Sequence, residues 1–375
     1  MQITPAEVER LVAGLVAIDS VNPTLVPGGA GESEVMRHAA DWMAAAGLDV
    51  DVVEAAPGRP SVIGTARGSG GGRSLMLNGH LDTVGVDGMS EPHTPRVRDG
   101  RLYGRGGYDM KGGVAACMLA AAAAASARLA GDVVVTAVAD EEHSSIGVQA
   151  VLERVRTDAC VVAEPTSLDV VVAHKGFAWW EVSAAGRAAH GSQPHLGVDA
   201  IAAMAPALAA VTELERSLAG RRHELLGPGS VHASLIEGGQ ELSSYPERCV
   251  LSIERRTLPG EGAAQLDAEL ARLAGHPRLS ARTTLVREPF EVPADEPIVA
   301  LLRDVVEHRL GRAPAVRGHS AWMDAAFTAV AGIPTVVFGP HGAGAHAVEE
   351  WVDLGSVREC AEALLATAGA FCGAV

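Results

Sequence analysis

The chain has 375 residues, of which 48% are apolar and only 3% aromatic, and its formal net charge is −16. A chain of this length is too long to fold around one ordinary hydrophobic core, so we expect two domains. The acidic balance, without a lysine- or arginine-rich run, argues against nucleic acid or an anionic membrane as a partner. Five cysteines without CxxC spacing argue against disulfides and a thiolate zinc site, and the N-terminus lacks signal-peptide features, so we expect a cytoplasmic protein.

The first half of the sequence predicts helices and strands in alternation. Thr4 and Pro5 suit the start of a first helix at 5–19, and a second helix is expected at 33–46. Strands at 49–54, 61–66, 74–78, 132–139 and 159–163 are interrupted by an alanine-rich helix at 113–129 and a further helix at 146–155. This order predicts a largely parallel sheet with helices on both faces. The apolar run at 112–127 is too short for a membrane span and predicts a buried helix.

The pattern changes after about residue 175. Strands at 176–184, 230–236, 248–255 and 279–286, with helices at 199–218 and 263–274, predict an inserted α+β module. The pattern of the first half of the sequence then returns, with a helix at 298–310, the segment 322–331 and a strand at 334–339. We therefore predict an α/β domain formed by residues 1–175 and 291–375, interrupted by an α+β domain at 176–290.

Five acidic or histidine-bearing segments follow one another in order. They are HLD with His80 and Asp82, GRGGYDMKGG with Asp109, DEEH with Glu141 and Glu142, AEPT with Glu164, and GAHAVEE with His346 and Glu350. Two imidazoles and three carboxylates suffice for two adjacent zinc-like ions that share one carboxylate. Three of the segments follow predicted strands, and ligand sites of such sheets gather at the carboxyl ends of the strands.

Each segment also permits a simpler interpretation. Asp82 can hold a ring nitrogen of His80 and fix its tautomer, or the pair can be a surface histidine and a turn. Asp109 lies in a glycine-rich loop that suits a bridging ligand, or a plain turn. The adjacent carboxylates Glu141 and Glu142 repel each other unless a cation compensates, so one would ligate and the other would take a proton from water. An isolated DEE is more commonly a solvated loop.

Taken together, the motifs resemble the co-catalytic metallopeptidase and deacylase family of acetylornithine deacetylase, succinyl-diaminopimelate desuccinylase, aminoacylase and carboxypeptidase G, over about residues 75–352. The resemblance implies two zinc ions, with cobalt or manganese as substitutes. It implies His80, Asp109 and Glu164 on one ion, Asp109, Glu142 and His346 on the other, Glu141 as general base and acid, and Asp82 as the orienter of His80. It also implies that residues 176–290 form a lid used for homodimerisation.

Two residues of the inserted domain take part in the resemblance, and two positions depart from it. His190, in GRAAHGSQPHLGVDAI, matches a histidine that crosses the family's dimer to stabilise an oxyanion. Arg256, in ERRTLPGE, matches an arginine directed at the substrate carboxylate. Ser243 stands where the family often has asparagine, and His341 where it often has glycine. These departures border the substrate region and leave the ligand set intact.

The expected activity is therefore hydrolysis of the amide bond of a small N-acyl amino acid. A dipeptidase or a glutamate-type carboxypeptidase of the same family would use the same ligands. A non-catalytic protein that binds metal or amino acid is the alternative from another class, although such a protein has no need of Glu141 beside a full ligand set.

Overall fold

A computed structural model describes residues 3–373, so the outer bounds of the predicted domains, at residues 1 and 375, lie outside the described residues. The chain first forms α1 (Pro5–Val16), α2 (Ser33–Ala45), β1 (Asp49–Ala56), β2 (Arg59–Ala66), β3 (Leu75–His80), β4 (Arg96–Arg98), β5 (Arg101–Tyr103), a π-helical turn (Gly107–Lys111), α3 (Gly112–Ala127), β6 (Val133–Val138), α4 (Ile146–Arg154), β7 (Ala159–Val162) and β8 (Val170–His174).

The middle of the chain forms β9 (Gly176–Ala185), β10 (Ala189–His190), α5 (Ala200–Ala203), α6 (Ala205–Leu218), β11 (Arg222–His223), β12 (Gly227–Pro228), β13 (Ser230–Gly238), β14 (Ser244–Tyr245), β15 (Arg248–Thr257), α7 (Ala263–Leu273), β16 (Leu279–Arg287) and β17 (Phe290–Glu291). The last part forms α8 (Pro297–Leu310), β18 (Val316–His319), α9 (Ala325–Val330), β19 (Thr335–Val337), β20 (Gly342–Ala343), β21 (Trp351–Asp353) and α10 (Leu354–Cys372).

The described chain divides into two units. The first contains the residues up to Val172, Val292–Arg317 and the residues from Met323 onward, and the second contains Ala173–Glu291 and Gly318–Trp322. Residues 318–322 were predicted to belong to the first domain, whereas the structure groups them with the second unit. Nothing in the local pattern distinguishes these few residues, because their membership depends on packing between distant parts of the chain.

The first unit is built on a mixed sheet with the strand order β1-β2-β6-β3-β7-β19-β8. The four central strands, β6, β3, β7 and β19, are parallel, whereas β1, β2 and β8 are antiparallel to their neighbours. The predicted parallel arrangement therefore holds only for the centre of the sheet. Pro57 and Gly58 alone connect β1 to β2, and so short a connection joins only antiparallel strands. The α/β class with an inserted α+β module is confirmed.

Helix α3 lies in the interior of the first unit, as predicted. All of its residues from Gly112 to Ala124 are buried, and it packs against β3, β6 and α10. Among the described residues, Gly107–Ala127 is the one stretch long and apolar enough to cross a membrane by length and composition, and 83% of its most apolar window is buried inside the structure. Its alanines let the neighbouring helix and strands approach closely, which suits a core helix.

The second unit contains a four-stranded antiparallel sheet in the order β13-β15-β9-β16. Trp180, Leu251 and Ile253 on the sheet form one core with Val211 and Leu270 of helices α6 and α7. The single helix predicted at 199–218 is in fact two helices, α5 and α6, that meet at Met204. Pro206 lies in the first turn of α6, where its missing N–H is tolerated, whereas inside one continuous helix it would remove a hydrogen bond.

A small second sheet in the first unit, ordered β20-β21-β5-β4, was not predicted. Its strands have only two or three residues each, too few for a recognisable alternation. Trp351 pairs with Tyr103 and Ala343 pairs with Trp351. This sheet therefore brings the loop that contains His346 next to the turn that contains Asp109.

Candidate metal centre

The five predicted ligands meet in the first unit. His80 ends β3, Glu142 follows β6 and Glu164 follows β7, so adjacent parallel strands deliver these three side chains to one edge of the sheet. Asp109 comes from the π-helical turn before α3, and its peptide bond to Met110 is cis. His346 comes from the loop between β20 and β21.

The side chains form two groups that share Asp109. In each group, one ligand atom per residue lies within 4.8 Å of the others: His80, Asp109 and Glu164 in the first group, and Asp109, Glu142 and His346 in the second. Asp109 Oδ1 lies 3.3 Å from His80 Nε2, and Asp109 Oδ2 lies 3.5 Å from His346 Nε2. The two oxygens of one carboxylate thus face different histidines, which is the arrangement a bridging ligand requires.

The hydrogen bond of His80 fixes the role of its ring nitrogens. Nδ1 lies 3.0 Å from the main-chain carbonyl oxygen of Asp82, and because a carbonyl only accepts, Nδ1 carries the proton that it donates. Nε2 is therefore the nitrogen directed at Asp109. The carboxylate of Asp82 is farther away, with Oδ1 at 3.5 Å from Nδ1. The predicted orienting contact of His80 is with this carboxylate, but the shorter contact is with the main-chain carbonyl of the same residue.

The electrostatics of the centre show an excess of buried negative charge. Burial raises the pKa of Glu141 and of Glu164 well above the usual value, and it also raises the pKa of Glu142. The hydrogen bonds that the His346 ring donates to the carboxylates of Asp109 and Glu142 raise its pKa to about 10. Burial opposes the charge on His80, but its contacts with Asp109 and Asp82 still raise its pKa well above the usual value.

These shifts bear on whether metal ions fit the site. In the absence of a metal, the raised pKa values favour the protonated forms of these groups, because a bound proton offsets the charge of the crowded carboxylates. Imidazole nitrogens and carboxylate oxygens are ligands of zinc, and each group offers one imidazole with two carboxylates. The residues therefore fit two dications that share Asp109. The donor set does not select one metal among those that accept such ligands.

Glu141 and Asp82 lie beside the two groups. The carboxylate of Glu141 belongs to neither group, and its Oε2 is 3.8 Å from His80 Nε2. Asp82 is fully buried, and its carboxylate accepts the main-chain N–H groups of Glu141 at 3.1 Å and Glu142 at 3.2 Å. Asp82 therefore connects His80 with the loop that carries Glu141 and Glu142.

Glu350, which lies in the same segment as His346, holds the loop around Asp109. Its carboxylate accepts the main-chain N–H groups of Gly106, Tyr108 and Asp109 at 2.9–3.0 Å. It also forms a buried ion pair with Arg105 at 2.7 Å. The role of Arg105 was not predicted, because nothing in the local sequence marks this residue apart from its position between two glycines.

The other predicted site residues belong to the second unit. His190 is exposed on β10, and its Nδ1 accepts the main-chain N–H of Ser192 at 3.2 Å, so the neutral ring carries its proton on Nε2. Gly191, next to it, donates its N–H to the carbonyl oxygen of Ser243 at 2.6 Å. Arg256 lies on β15, where its Nε pairs with Glu254 at 2.6 Å and its guanidinium lies over the Phe177 ring.

Comparison with known proteins agrees with this geometry. Residues 76–370 match the model of peptidase family M20/M25/M40. The chain belongs to this family. It is 32% identical to acetylornithine deacetylase of Vibrio atlanticus over 265 residues, which cover 68% of this chain and 69% of that protein. The protein is thus a hydrolase of the M20 family.

Two solved structures share the fold. Aminopeptidase PepT from Bacillus cereus matches with a TM-score of 0.80 and 20% identity over 97% of this chain and 98% of that one. The Bacillus subtilis YXEP protein, described as a dinuclear metal-binding peptidase, matches with a TM-score of 0.72 and 15% identity over 97% of each chain. At these identities the two matches bear on the fold alone.

Proposed function

We propose that the protein is a zinc-dependent amidohydrolase that removes the acyl group from an N-acyl amino acid, and that it acts in the cytoplasm as a homodimer. This proposal rests on one observation. The two oxygens of the Asp109 carboxylate face two different groups of candidate ligands, each with one histidine, and the carboxylate of Glu141 lies beside these groups without belonging to either. Two zinc ions held by His80, Asp109, Glu142, Glu164 and His346 would polarise the amide carbonyl and lower the pKa of the attacking water.

Glu141 is the proposed general base and acid. Its burial and raised pKa suit a carboxyl group that accepts a proton from water and returns it to the leaving amine. Asp82 positions it, since the Asp82 carboxylate accepts the main-chain N–H of Glu141. His190, protonated on Nε2, is the proposed donor to the oxyanion from the partner subunit.

Arg256 and Ser243 are the proposed substrate contacts in the second unit. The ion pair with Glu254 involves Nε of Arg256, so the terminal nitrogens of the guanidinium remain suited to a bidentate contact with a carboxylate. The relatives that are about 32% identical are acetylornithine deacetylases, which makes N-acetylornithine the first substrate to test and supports a role in amino acid metabolism.

The homodimer is supported by the edge of the sheet in the second unit. Among the residues that the structure describes, strand β13 pairs only with β15, and its Leu235 and Ile236 are 65% and 52% exposed. A long edge strand with exposed apolar side chains is a template for pairing with another chain. We propose that a second copy of this protein covers it.

The test is a substrate panel with zinc-loaded protein, in which amine release is followed by mass spectrometry. N-acetyl amino acids, including N-acetylornithine, are compared with N-succinyl amino acids, dipeptides and C-terminal glutamate peptides. Hydrolysis of N-acyl amino acids at least tenfold faster than of peptides is expected. Preferential cleavage of dipeptides would identify a peptidase, and full metal loading without turnover of any compound would favour a binding protein.

A further inference from the structure

A chain of buried polar side chains connects the N-terminal part of the first unit to the metal centre. Asn22 is fully buried, and its side-chain Nδ2 donates to Asp82 Oδ2 at 2.8 Å and to Asp140 Oδ1 at 2.9 Å. The amide thus uses both of its hydrogens on two carboxylates that flank the candidate ligands: Asp82 follows His80 by two residues, and Asp140 directly precedes Glu141.

Arg59 and Glu32 hold Asn22 in this orientation. Arg59 Nη2 donates to Asn22 Oδ1 at 3.2 Å and to Asp140 Oδ1 at 2.8 Å. The same guanidinium makes a bidentate contact with the Glu32 carboxylate, in which Nε and Nη2 each donate to one carboxylate oxygen at 2.6 Å. Because Asn22 Oδ1 accepts from Arg59, the amide cannot turn over without presenting its oxygen to two carboxylates. The donor side of Asn22 is therefore fixed toward Asp82 and Asp140.

The position of Asp82 gives this contact a consequence for both groups of ligands. Asp82 touches His80 of the first group and accepts the main-chain N–H of Glu142 of the second group, as well as that of Glu141. Asn22 binds the same carboxylate and also the residue where the Glu141–Glu142 loop begins. One amide thus connects the segment that carries His80 of the first group with the loop that carries Glu142 of the second.

We propose that Asn22 is a positioning residue of the metal centre, which acts through Asp82 and Asp140 and is itself held by Arg59 and Glu32. This inference rests on the proposed function, because it assumes that the two groups bind metal. A purely structural role is the alternative: loss of any buried hydrogen bond lowers stability, but only a positioning role also changes how the ions are held.

The test compares Asn22→Ala with Thr335→Val as a matched control. Thr335 is also buried in the first unit, and its hydroxyl makes 2.8 Å contacts with Thr328 and Ile333 that do not involve the metal centre. Both variants are stripped of metal, and their Zn²⁺ affinity is measured by competition with a chromophoric chelator. The ligand-field absorption of the Co²⁺-loaded forms and unfolding in urea are recorded in parallel.

Asn22→Ala is expected to bind Zn²⁺ about 10–100-fold more weakly, as for other residues that orient metal ligands, with an altered Co²⁺ spectrum. Thr335→Val is expected to lose stability while its affinity and spectrum stay those of the wild type. An unchanged affinity and spectrum in Asn22→Ala would overturn the inference.

If Asn22→Ala does not fold, Asn22→Ser, which keeps one hydrogen-bond donor, is measured in the same assays. If neither variant folds, Asn22 has a structural role instead of a positioning role. A wild-type protein that binds neither Zn²⁺ nor Co²⁺ would refute the proposed function itself. Wild-type binding and turnover, combined with an unaffected Asn22→Ala variant, would refute this inference alone.

Discussion

The carboxylate of Glu350 accepts the main-chain N–H of Asp109 at 3.0 Å across 241 positions of sequence. It thereby fixes the backbone of the one residue shared by the two groups of candidate ligands. The same carboxylate also accepts hydrogen bonds from Gly106, Tyr108 and Arg105, so one side chain binds four residues of this turn.

Glu350→Gln is expected to lower the free energy of unfolding by about 3–5 kcal/mol, because it leaves the buried guanidinium of Arg105 without its charge partner. Urea denaturation of the metal-free protein measures this. The control is Asp41→Asn, which breaks the exposed pair with Arg37 and should change stability by less than about 1 kcal/mol. Equal effects of the two variants would contradict the assigned importance of the Glu350 contacts.

Glu141→Gln is expected to lower kcat by about 10²–10⁴-fold, the usual contribution of a general acid–base group. Metal content, measured by mass spectrometry of the bound elements, should remain that of the wild type, since Glu141 belongs to neither group of ligands. Glu153→Gln, an exposed change in the same unit, serves as the control and should leave turnover unaffected. Turnover retained by fully loaded Glu141→Gln would exclude Glu141 as the base.

Metal affinity is expected to rise with pH. In the metal-free protein the pKa of His346 is raised to about 10, so the ring is protonated at neutral pH and must lose its proton to bind a metal. That single proton makes affinity increase by about tenfold per pH unit up to the raised pKa. Chelator competition at pH 6.5, 7.5 and 8.5 measures the slope. His346→Ala should reduce the slope by about one proton, whereas the exposed His308→Ala should not change it.

The same shift predicts the opposite trend for the stability of the metal-free protein. Because the pKa of His346 is higher in the folded than in the unfolded chain, its ion pairs with Asp109 and Glu142 contribute fully below about pH 6.5. Their contribution is lost as the pH rises toward 10. Urea denaturation across this range checks the sign, and a His346→Ala variant should lack this part of the pH dependence.

Ile236→Glu is expected to convert the proposed homodimer into a monomer, since it places a charge on the exposed edge of β13. Light scattering coupled to size-exclusion chromatography measures the mass. Val52→Glu is a matched control, because Val52 is also more than half exposed, on the edge strand β1 of the first unit. A wild-type protein with the mass of one chain would refute the dimer, and a dimeric Ile236→Glu would place the interface elsewhere.

The class of fold could be predicted from the sequence because it depends on local patterns, and the same patterns helped to identify the candidate ligands that the structure places together. Buried strands and helices leave apolar runs of recognisable period, and ligands at the carboxyl ends of parallel strands follow those runs directly. His80, Glu142 and Glu164 are of this kind. The prediction of a single helix at 199–218 is wrong because Pro206 has no N–H to donate within a continuous helix and instead lies in the first turn of a second one.

The sequence alone is enough to identify the chemical groups available to this protein, which are two histidines and a set of carboxylates in a chain that matches a peptidase family. How these groups are held depends on the tertiary structure. Asp109 faces two histidines, and Glu350 binds its backbone. Asn22 contacts Asp82 and Asp140. These contacts join residues that are 29 to 241 positions apart in the sequence. A hydrogen bond between such distant residues leaves no periodicity in the sequence, because it depends on the packing of whole elements rather than on neighbouring side chains.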